Sequence, residues 1–218
     1  MSTAIIGVGN IGKAVATDLT RGGESVVLAA KERSNADQLA RELGALASSA
    51  DVAEAIEQAD TVLFAAWFDT IKELIPQHAA RLTGKVVIDP SNPVAFGSDG
   101  QPTKTLPDGV SAGSVIAGLL PDGAHYVKAF GTVAAEFMTT GANRTPERAV
   151  LFYATDDGRA ASTVERLISA AGFDPVPAGG VQDAARIEMF GDLHQFGGLN
   201  GRLLTADEAQ ATLAGAAT

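Results

Sequence analysis

The stretch TAIIGVGNIGKAVATDL, residues 3–19, decides the fold. A short apolar run leads into glycines at positions 7, 9 and 12, and residues at helical spacing follow. A G-x-G-x-x-G pattern between a strand and a helix is typical of dinucleotide binding. Gly7 allows the tight turn, Gly9 leaves room for a diphosphate, and Gly12 lets the helix pack on the strand. We therefore predict that this helix N-terminus binds the diphosphate of a dinucleotide.

Predicted strands and helices alternate through the first two thirds of the chain. This order predicts an α/β fold, a Rossmann-type doubly wound parallel sheet with a small C-terminal α/β extension. We place the dinucleotide-binding domain at residues 1–138 and the small acceptor-side domain at residues 139–218. Residues 90–114 carry four prolines and are predicted to form a long loop, and residues 181–190 are predicted to form a helix.

Composition excludes several classes of protein. The net charge of −10 argues against non-specific nucleic-acid binding and against a polybasic membrane anchor. The chain has no cysteine and only three scattered histidines, so we predict no metal site. No signal-peptide pattern and no run of about 18 apolar residues occurs, which predicts a cytoplasmic protein without a membrane partner.

The end of the second predicted strand bears on the choice of cofactor. In VVLAAKERS, Ala30 is followed by Lys31 and Arg33, and small or basic residues at this position favour the 2′-phosphate of NADP. Glu32 is the counterargument, because an acid near this spacing after Gly12 would bind the free ribose of NAD. We predict NADP as the cofactor.

Five segments then carry a resemblance to a known family: GVGNIGKAVATDL, VVLAAK, VLFAAWFDTIKEL, KVVIDPSNPV and VKAFGTVAAEF. Their order and spacing resemble the NADP oxidoreductases that reduce the deazaflavin coenzyme F420. The same domain resembles the cytoplasmic half of the six-transmembrane ferric reductases. The resemblance covers about residues 3–138 and is looser through AGGVQDAARIEMFGDLHQF. It implies hydride transfer between NADP(H) and F420 or a flavin-like acceptor, and a possible homodimer.

The resemblance also implies which residues form the site. The cofactor-binding set is Gly7, Val8, Gly9, Asn10, Ile11, Gly12, Ala30, Lys31, Arg33, Ala65, Ala66, Trp67, Asn92, Pro93, Thr132 and Ala135. The acceptor cleft is implied to involve Gly131, Val133 and His194. The family usually has a polar residue where this chain has Gly131, so we expect the glycine to open space in the cleft.

No catalytic residue is predicted. Hydride transfer between two rings needs the reacting carbons about 3–3.5 Å apart, and the cofactors carry the chemistry. Asp89, at a predicted strand end before Pro90, is interpreted as a turn residue. Two alternatives stay open: an NADPH-dependent reductase of a small carbonyl or imine compound, and a non-catalytic NADP(H)-binding sensor.

Overall fold

A computed structural model describes residues 2–215. Its strands are β1 (Ser2–Ile6), β2 (Ser25–Ala29), β3 (Ala47–Ser49), β4 (Thr61–Phe64), β5 (Val86–Asp89), β6 (Val94–Phe96), β7 (Pro102–Lys104), β8 (His125–Lys128), β9 (Val150–Ala154) and β10 (Asp174–Gly179). Its α-helices are α1 (Asn10–Arg21), α2 (Arg33–Leu43), α3 (Val52–Gln58), α4 (Phe68–Leu82), α5 (Ala112–Leu119), α6 (Ala135–Gly141), α7 (Gly158–Ala170) and α8 (Ala206–Gly215).

Eight strands form one sheet in the order β3-β2-β1-β4-β5-β8-β9-β10. The first six of these strands are parallel, whereas β9 runs antiparallel to β8, with β10 parallel to β9. The predicted Rossmann-type α/β fold is confirmed. The last two strands extend the same sheet, and the domain division near residue 138 stays a prediction.

Helices cover both faces of the sheet, and the strands are buried on both sides. Along β1, Ile5 packs into the core with α1 and α7, while Ala4 packs into the core with α3 and α4. This two-sided burial explains the uninterrupted apolar runs of β1, β2 and β4, because neither face of a central parallel strand meets water. Because β1, β4, β5 and β8 are parallel, the loops that follow these four strands all lie at the same edge of the sheet.

One local prediction, the long loop, is wrong. The proline-rich residues 90–114 contain a β-hairpin of β6 and β7, which pairs Phe96 with Pro102, and the start of α5. Proline is tolerated in this two-stranded sheet because each strand has one unpaired side. The predicted helix at 181–190 is present as a 3₁₀ helix, Val181–Ile187. It ends there because Glu188 adopts an extended conformation and turns its carboxylate inward to cap α5.

Helix α1 carries a buried carboxylate, Asp18, which is only 2% exposed. Neither of its oxygens has a hydrogen-bond partner among residues 2–215, and the Arg21 guanidinium lies 3.7 Å away. Burial raises the pKa of Asp18 to about 6, although the charge of Arg21 opposes the shift. Asp18 therefore binds a proton more strongly in the folded protein than in the unfolded chain, and its ionisation destabilises the fold.

We expect Asp18→Asn to become the more stable protein, relative to the parent, as the pH rises. Because the folded pKa lies above the unfolded one, the parent loses stability from about pH 4 through pH 6 and no further above it. The difference in unfolding free energy should grow by roughly 2–3 kcal/mol between pH 4 and pH 7.5. Urea unfolding of both proteins across this range measures it, and a difference that stays flat with pH would contradict the argument.

Candidate functional site

Loops from four parallel strands meet at the carboxyl edge of the sheet, where β1 has β2 on one side and β4 on the other. With the hairpin and a C-terminal segment, they enclose a cavity of about 790 Å³. The lining residues are Gly9, Asn10, Ile11, Ala65, Ala66, Trp67, Phe68, Pro90, Ser91, Asn92, Val94, Phe96, Gln101, Pro102, Gly131, Val133, Ala134, Met189, Phe190, His194 and Phe196. This is the position at which doubly wound sheets bind ligands.

The three glycines of the opening motif differ in the space that surrounds a Cβ at each position. Gly7 has φ +104°, and a Cβ there would lie 2.3 Å from the Ala65 carbonyl oxygen. At Gly12, a Cβ would lie 2.0 Å from the Gly7 carbonyl oxygen. A Cβ at Gly9 meets nothing within 4 Å. Gly7 and Gly12 are thus required by the fold, whereas Gly9 keeps open a space that the protein itself leaves empty.

That open space lies at the N-terminus of α1. Gly9 is the N-cap, no side chain caps the helix, and its first turn contains no acid. The first backbone N–H groups of a helix have no partner inside the helix, and the helix dipole places partial positive charge there. Gly9, Asn10 and Ile11 line the cavity, so an anion placed there would meet these donors. The arrangement fits a diphosphate.

The end of β2 lies beside this turn, because the Gly7 N–H donates to the Ala29 carbonyl over 2.8 Å. Lys31 is exposed and makes no hydrogen bond or ion pair with any residue in 2–215. Arg33, in contrast, donates to Asp37 over 3.0 Å and to Asp51 over 2.9 Å. Lys31 is therefore free to meet a cofactor phosphate, and Arg33 would first have to leave two carboxylates.

Asn92 ties three segments together at the far side of the cavity. Its amide nitrogen donates to the Gly131 carbonyl over 3.0 Å, and its amide oxygen accepts from the Met189 N–H over 2.6 Å. The residue thereby joins the loop after β5 to the loop after β8 and to the C-terminal segment. Its polar atoms serve the wall of the cavity, with its neighbour Pro93 buried behind it.

His194 lines the cavity with both ring nitrogens engaged. Nδ1 must be the acceptor, because it faces the Phe196 backbone N–H at 3.0 Å, so Nε2 carries the proton and donates to the Gly131 carbonyl over 3.1 Å. Burial lowers the pKa of His194 to about 4, the Gly131 carbonyl opposes this shift, and the charge of Lys128 adds to it. The imidazole is thus neutral at pH 7 and serves as a fixed structural group.

The loop after β8 is fixed by Gln195. The Gln195 backbone N–H donates to the Thr132 carbonyl over 3.0 Å, and its side-chain oxygen accepts from the Ala134 N–H over 2.9 Å. Val133 and Ala134 line the cavity between these two contacts, whereas Thr132 and Ala135 flank them outside the lining. The buried Thr132 hydroxyl has no hydrogen-bond partner within residues 2–215.

The expectation that Gly131 opens space in the cleft is wrong. A Cβ on Gly131 would lie 2.3 Å from the carbonyl oxygen of Pro90 and 2.9 Å from its carbonyl carbon. The glycine is needed because two backbone segments approach each other, and any side chain there would push them apart. Gly131 still lines the cavity, through its backbone.

A group of buried charges lies behind the wall formed by Pro90, Ser91 and Asn92. Lys128 donates to Asp89 over 2.9 Å and to the Ser91 carbonyl, and its Nζ lies 3.5 Å from Glu188. Asp89 also accepts from the Tyr126 hydroxyl and from the Ser91 N–H. Burial raises the pKa of Tyr126 well above its usual value, and the Asp89 charge adds to this. The sequence interpretation of Asp89 as a turn residue therefore covers only part of its role.

Aromatic side chains at the cavity were missed by the sequence analysis, apart from Trp67. The four exposed aromatic residues of the described chain all line it: Trp67 at 65%, Phe96 at 52%, Phe190 at 48% and Phe196 at 50% exposure. The Trp67 and Phe96 rings meet edge-on at 6.1 Å between centroids. The segment MFGDLHQF near the C-terminus was the available signal, because glycine is a poor helix and strand former and leaves the neighbouring rings outside regular elements.

The structure brings many of the predicted site residues around one cavity. Those in its lining are Gly9, Asn10, Ile11, Ala65, Ala66, Trp67, Asn92, Gly131, Val133 and His194. Those outside the lining are Gly7, Val8, Gly12, Ala30, Lys31, Arg33, Pro93, Thr132 and Ala135. Gly7 and Gly12 shape the turn below it, and Ala30, Lys31 and Arg33 lie where β2 ends and α2 begins.

The described residues contain neither a metal cluster nor a membrane-spanning helix. No group of three or more potential metal-ligating side chains occurs within residues 2–215. Across the same residues, no helix has the length and apolarity needed to cross a membrane.

Comparison with known proteins gives a family for the first part of the chain. Residues 2–93 match the family described as NADP oxidoreductase, coenzyme F420-dependent. This match confirms the family resemblance that the motifs predicted. No curated protein matches the chain.

Several solved structures are similar over most of the chain. A hypothetical protein from Sinorhizobium meliloti is 27% identical, with a TM-score of 0.81, covering 95% of this chain and 96% of that one. A protein from Arthrobacter sp. FB24, proposed to be an F420-dependent NADP-reductase, is 24% identical with a TM-score of 0.72, covering 84% and 86%. A reductive aminase from Aspergillus terreus in complex with NADPH and ethyl levulinate is 21% identical with a TM-score of 0.59, covering 84% and 56%. The last two likenesses show the fold.

Proposed function

We propose that this chain, an NADP-dependent oxidoreductase whose residues 2–93 belong to the coenzyme F420-dependent family, transfers a hydride between NADP(H) and the planar ring of a deazaflavin or flavin-like acceptor. One observation carries the proposal. An open helix N-terminus at Gly9 leads directly into a cavity bordered by four exposed aromatic rings. The first feature suits a diphosphate, and the second suits a flat ring.

The residues present fit the cofactor at both ends of the site. Backbone N–H groups of Gly9, Asn10 and Ile11 would hold the diphosphate, and Lys31 would meet the 2′-phosphate. When bound, the cofactor supplies a hydride, which carries two electrons, and the acceptor ring completes its reduction with a proton from water. The hydrogen bonds of Asn92, His194 and Gln195 fix the walls of the cavity. The part of the chain is therefore to bind and orient the cofactor and the acceptor and to exclude water from between them.

The polar groups of the cavity supply no placed acid. Asn92 and His194 use their polar atoms in the wall, and the Ser91 hydroxyl is buried without a partner in residues 2–215. The other polar lining side chains, Asn10 and Gln101, are amides and cannot give up a proton as acids. Reduction of a carbonyl compound needs a donor within hydrogen-bond reach of the developing alkoxide. A ring acceptor needs none from the protein, because water protonates it. This difference favours the ring acceptor over the carbonyl alternative.

An NADPH oxidation assay tests the proposal. The acceptors are riboflavin, FMN, coenzyme F420, and cyclohexanone with and without an amine. We expect turnover with at least one ring compound and little with the ketone or its imine. Efficient reduction of the ketone or imine with no ring compound reduced would overturn the proposal in favour of the alternative enzyme. Tight NADPH binding with no acceptor reduced at all would instead indicate the sensor.

Lys31→Ala should weaken NADPH binding by about tenfold or more and NADH binding by less than about twofold. A charge-assisted hydrogen bond to the 2′-phosphate is worth roughly 1.5–3 kcal/mol, and NADH lacks that phosphate. Titration of both cofactors measures this, with Lys13→Ala, an exposed lysine of α1 paired with Glu42, as the matched control. A parallel loss for both cofactors would mean that Lys31 does not read the phosphate and that Glu32 sets the specificity.

The cytoplasmic location and the homodimer remain predictions.

A further inference from the structure

We infer that the acceptor taken by this cavity is an uncharged ring compound, so that a neutral flavin or deazaflavin is preferred to its phosphorylated or glutamate-tailed counterpart. The inference rests on the proposed function and narrows its substrate class. It departs from coenzyme F420 itself, whose side chain carries a phosphodiester and glutamate carboxylates. The observations that carry it are the charges at the cavity and around its mouth.

The cavity lining contains no charged side chain. Of the 21 lining residues, none is Asp, Glu, Lys or Arg, and the one histidine, His194, is neutral because burial lowers its pKa to about 4. The polar lining side chains are Asn10, Ser91, Asn92 and Gln101, and the amide of Asn92 is engaged in the wall. Away from the helix N-terminus at Gly9, Asn10 and Ile11, where the cofactor's diphosphate would lie, an anionic group inside would lose its hydration without gaining a cation.

Two lysines next to lining residues are already paired with acids. Lys72 lies 4.8 Å from the ring of the lining residue Phe68, and its Nζ is 2.8 Å from Asp69. Lys104, on the hairpin, is paired in register with the lining residue Val94, and its Nζ is 3.7 Å from Asp108. An anionic tail that approached either lysine would therefore meet a carboxylate at the same point.

Two further cations near the lining in sequence or behind its wall are also paired with acids. Arg186, three residues before the lining residue Met189, is 2.8 Å from Asp192. Lys128, behind the wall, is held by Asp89 and Glu188 and is only 2% exposed. With a net charge of −10 on the whole chain, long-range electrostatics also repel an anion. The 2′-phosphate of the cofactor escapes this repulsion locally because Lys31 is unpaired and lies outside the cavity.

The cavity provides apolar aromatic surface that an uncharged ring can contact. Trp67 and Phe96 stand edge-on to each other on one side, and Phe190 and Phe196 are half-exposed on the C-terminal side. Aromatic faces and edges bind a flat ring by stacking and by burial of apolar surface. Selection between acceptors then falls on the group attached to the ring.

Matched pairs of acceptors test the inference. Riboflavin and FMN share one ring and differ by a phosphate, while F420 and its tail-free deazaflavin core share another ring and differ by the tail. We expect kcat/KM with NADPH to favour the neutral member of each pair by roughly tenfold or more. Equal values, or a preference for the anionic member in either pair, would overturn the inference while leaving the proposed function standing.

Fluorescence distinguishes failure of the ligand preference from failure of the proposed function. Trp67 is the only tryptophan of the chain, and it lies at the cavity, so ring binding should quench its emission without any turnover. Tighter quenching by riboflavin than by FMN, with no NADPH oxidation, would mean that the proposed function fails and the ligand preference holds. Tighter quenching by FMN would overturn the preference whatever the turnover.

A charge-introducing variant gives an independent check. Gln101 is exposed in the hairpin turn and lines the mouth. Gln101→Lys should raise the ratio of kcat/KM for FMN to that for riboflavin by about fivefold at low salt, and added salt should reduce the gain. Gln101→Met is the matched control for side-chain length. A ratio that rises as much in the methionine variant, or in neither, would count against electrostatic selection.

Discussion

Gly9→Val is expected to lower NADPH affinity by at least about 100-fold while the protein stays folded. The β-branched side chain would fill the space at the N-terminus of α1 where the diphosphate would lie. Loss of about two charge-assisted hydrogen bonds, each worth roughly 1.5–3 kcal/mol, gives an effect of this size. The fold should tolerate valine because a Cβ at Gly9 meets nothing within 4 Å, and because Gly9 is extended rather than left-handed.

Gly158→Val is the matched control for this experiment. Gly158 begins α7, a Cβ there also meets nothing within 4 Å, and it lies outside the cavity lining. Its NADPH affinity should equal that of the parent. Gly12→Val should behave differently from both, since the Cβ would lie 2.0 Å from the Gly7 carbonyl oxygen and the turn itself would be disrupted. Unchanged NADPH affinity in a folded Gly9→Val protein would show that the diphosphate binds elsewhere.

Lys128→Met is expected to lower the free energy of unfolding by about 3–5 kcal/mol. Removal of the ammonium would leave two carboxylates, Asp89 and Glu188, buried without their shared cation. It would also leave the Ser91 carbonyl without its donor, and Ser91 belongs to the cavity wall. Urea unfolding at pH 7.5 measures the loss of stability, and NADPH oxidation shows whether the wall is displaced.

Lys13→Met provides the comparison for an exposed pair. Lys13 lies 3.3 Å from Glu42 with both side chains largely in water, so the change should cost less than about 1 kcal/mol. If Lys128→Met lost no more stability than Lys13→Met, the buried charges would have to be satisfied by other groups. If the Lys128 variant does not fold at all, urea unfolding of Asp89→Asn tests the same network, because this substitution removes one of its two negative charges.

Local sequence determined the strand, turn and helix around residues 3–19 because each depends on neighbours within a few positions. The apolar run of β1, the glycine pattern and the helical spacing of α1 are all local signals. The same holds for β2, β4 and β5, whose two-sided burial makes their apolar runs continuous. Nine of the ten predicted site residues in the cavity lining lie in the family motifs, and His194 lies in the segment of looser resemblance.

Side-chain roles that depend on distant partners were outside the reach of local patterns. The engagement of Arg33 with Asp51 joins residues 18 positions apart, and that of Asn92 with Met189 joins residues 97 apart. Gly131 was interpreted as a missing side chain, but the contact that requires it comes from Pro90, in another loop. Lys128 was a sequence signal for the buried charges. It lies inside the apolar run YVKAF, and a lysine in a buried strand needs an acidic partner.

The β6–β7 hairpin forms a two-stranded sheet of its own and shares no ladder with the eight main strands. Its residues Val94, Phe96, Gln101 and Pro102 nevertheless form part of the cavity lining. An insertion, deletion or exchange within this hairpin leaves every register of the main sheet unchanged. Under the proposed function, changes confined to this hairpin would therefore alter the acceptor end of the cavity while the eight-stranded sheet keeps its pairing.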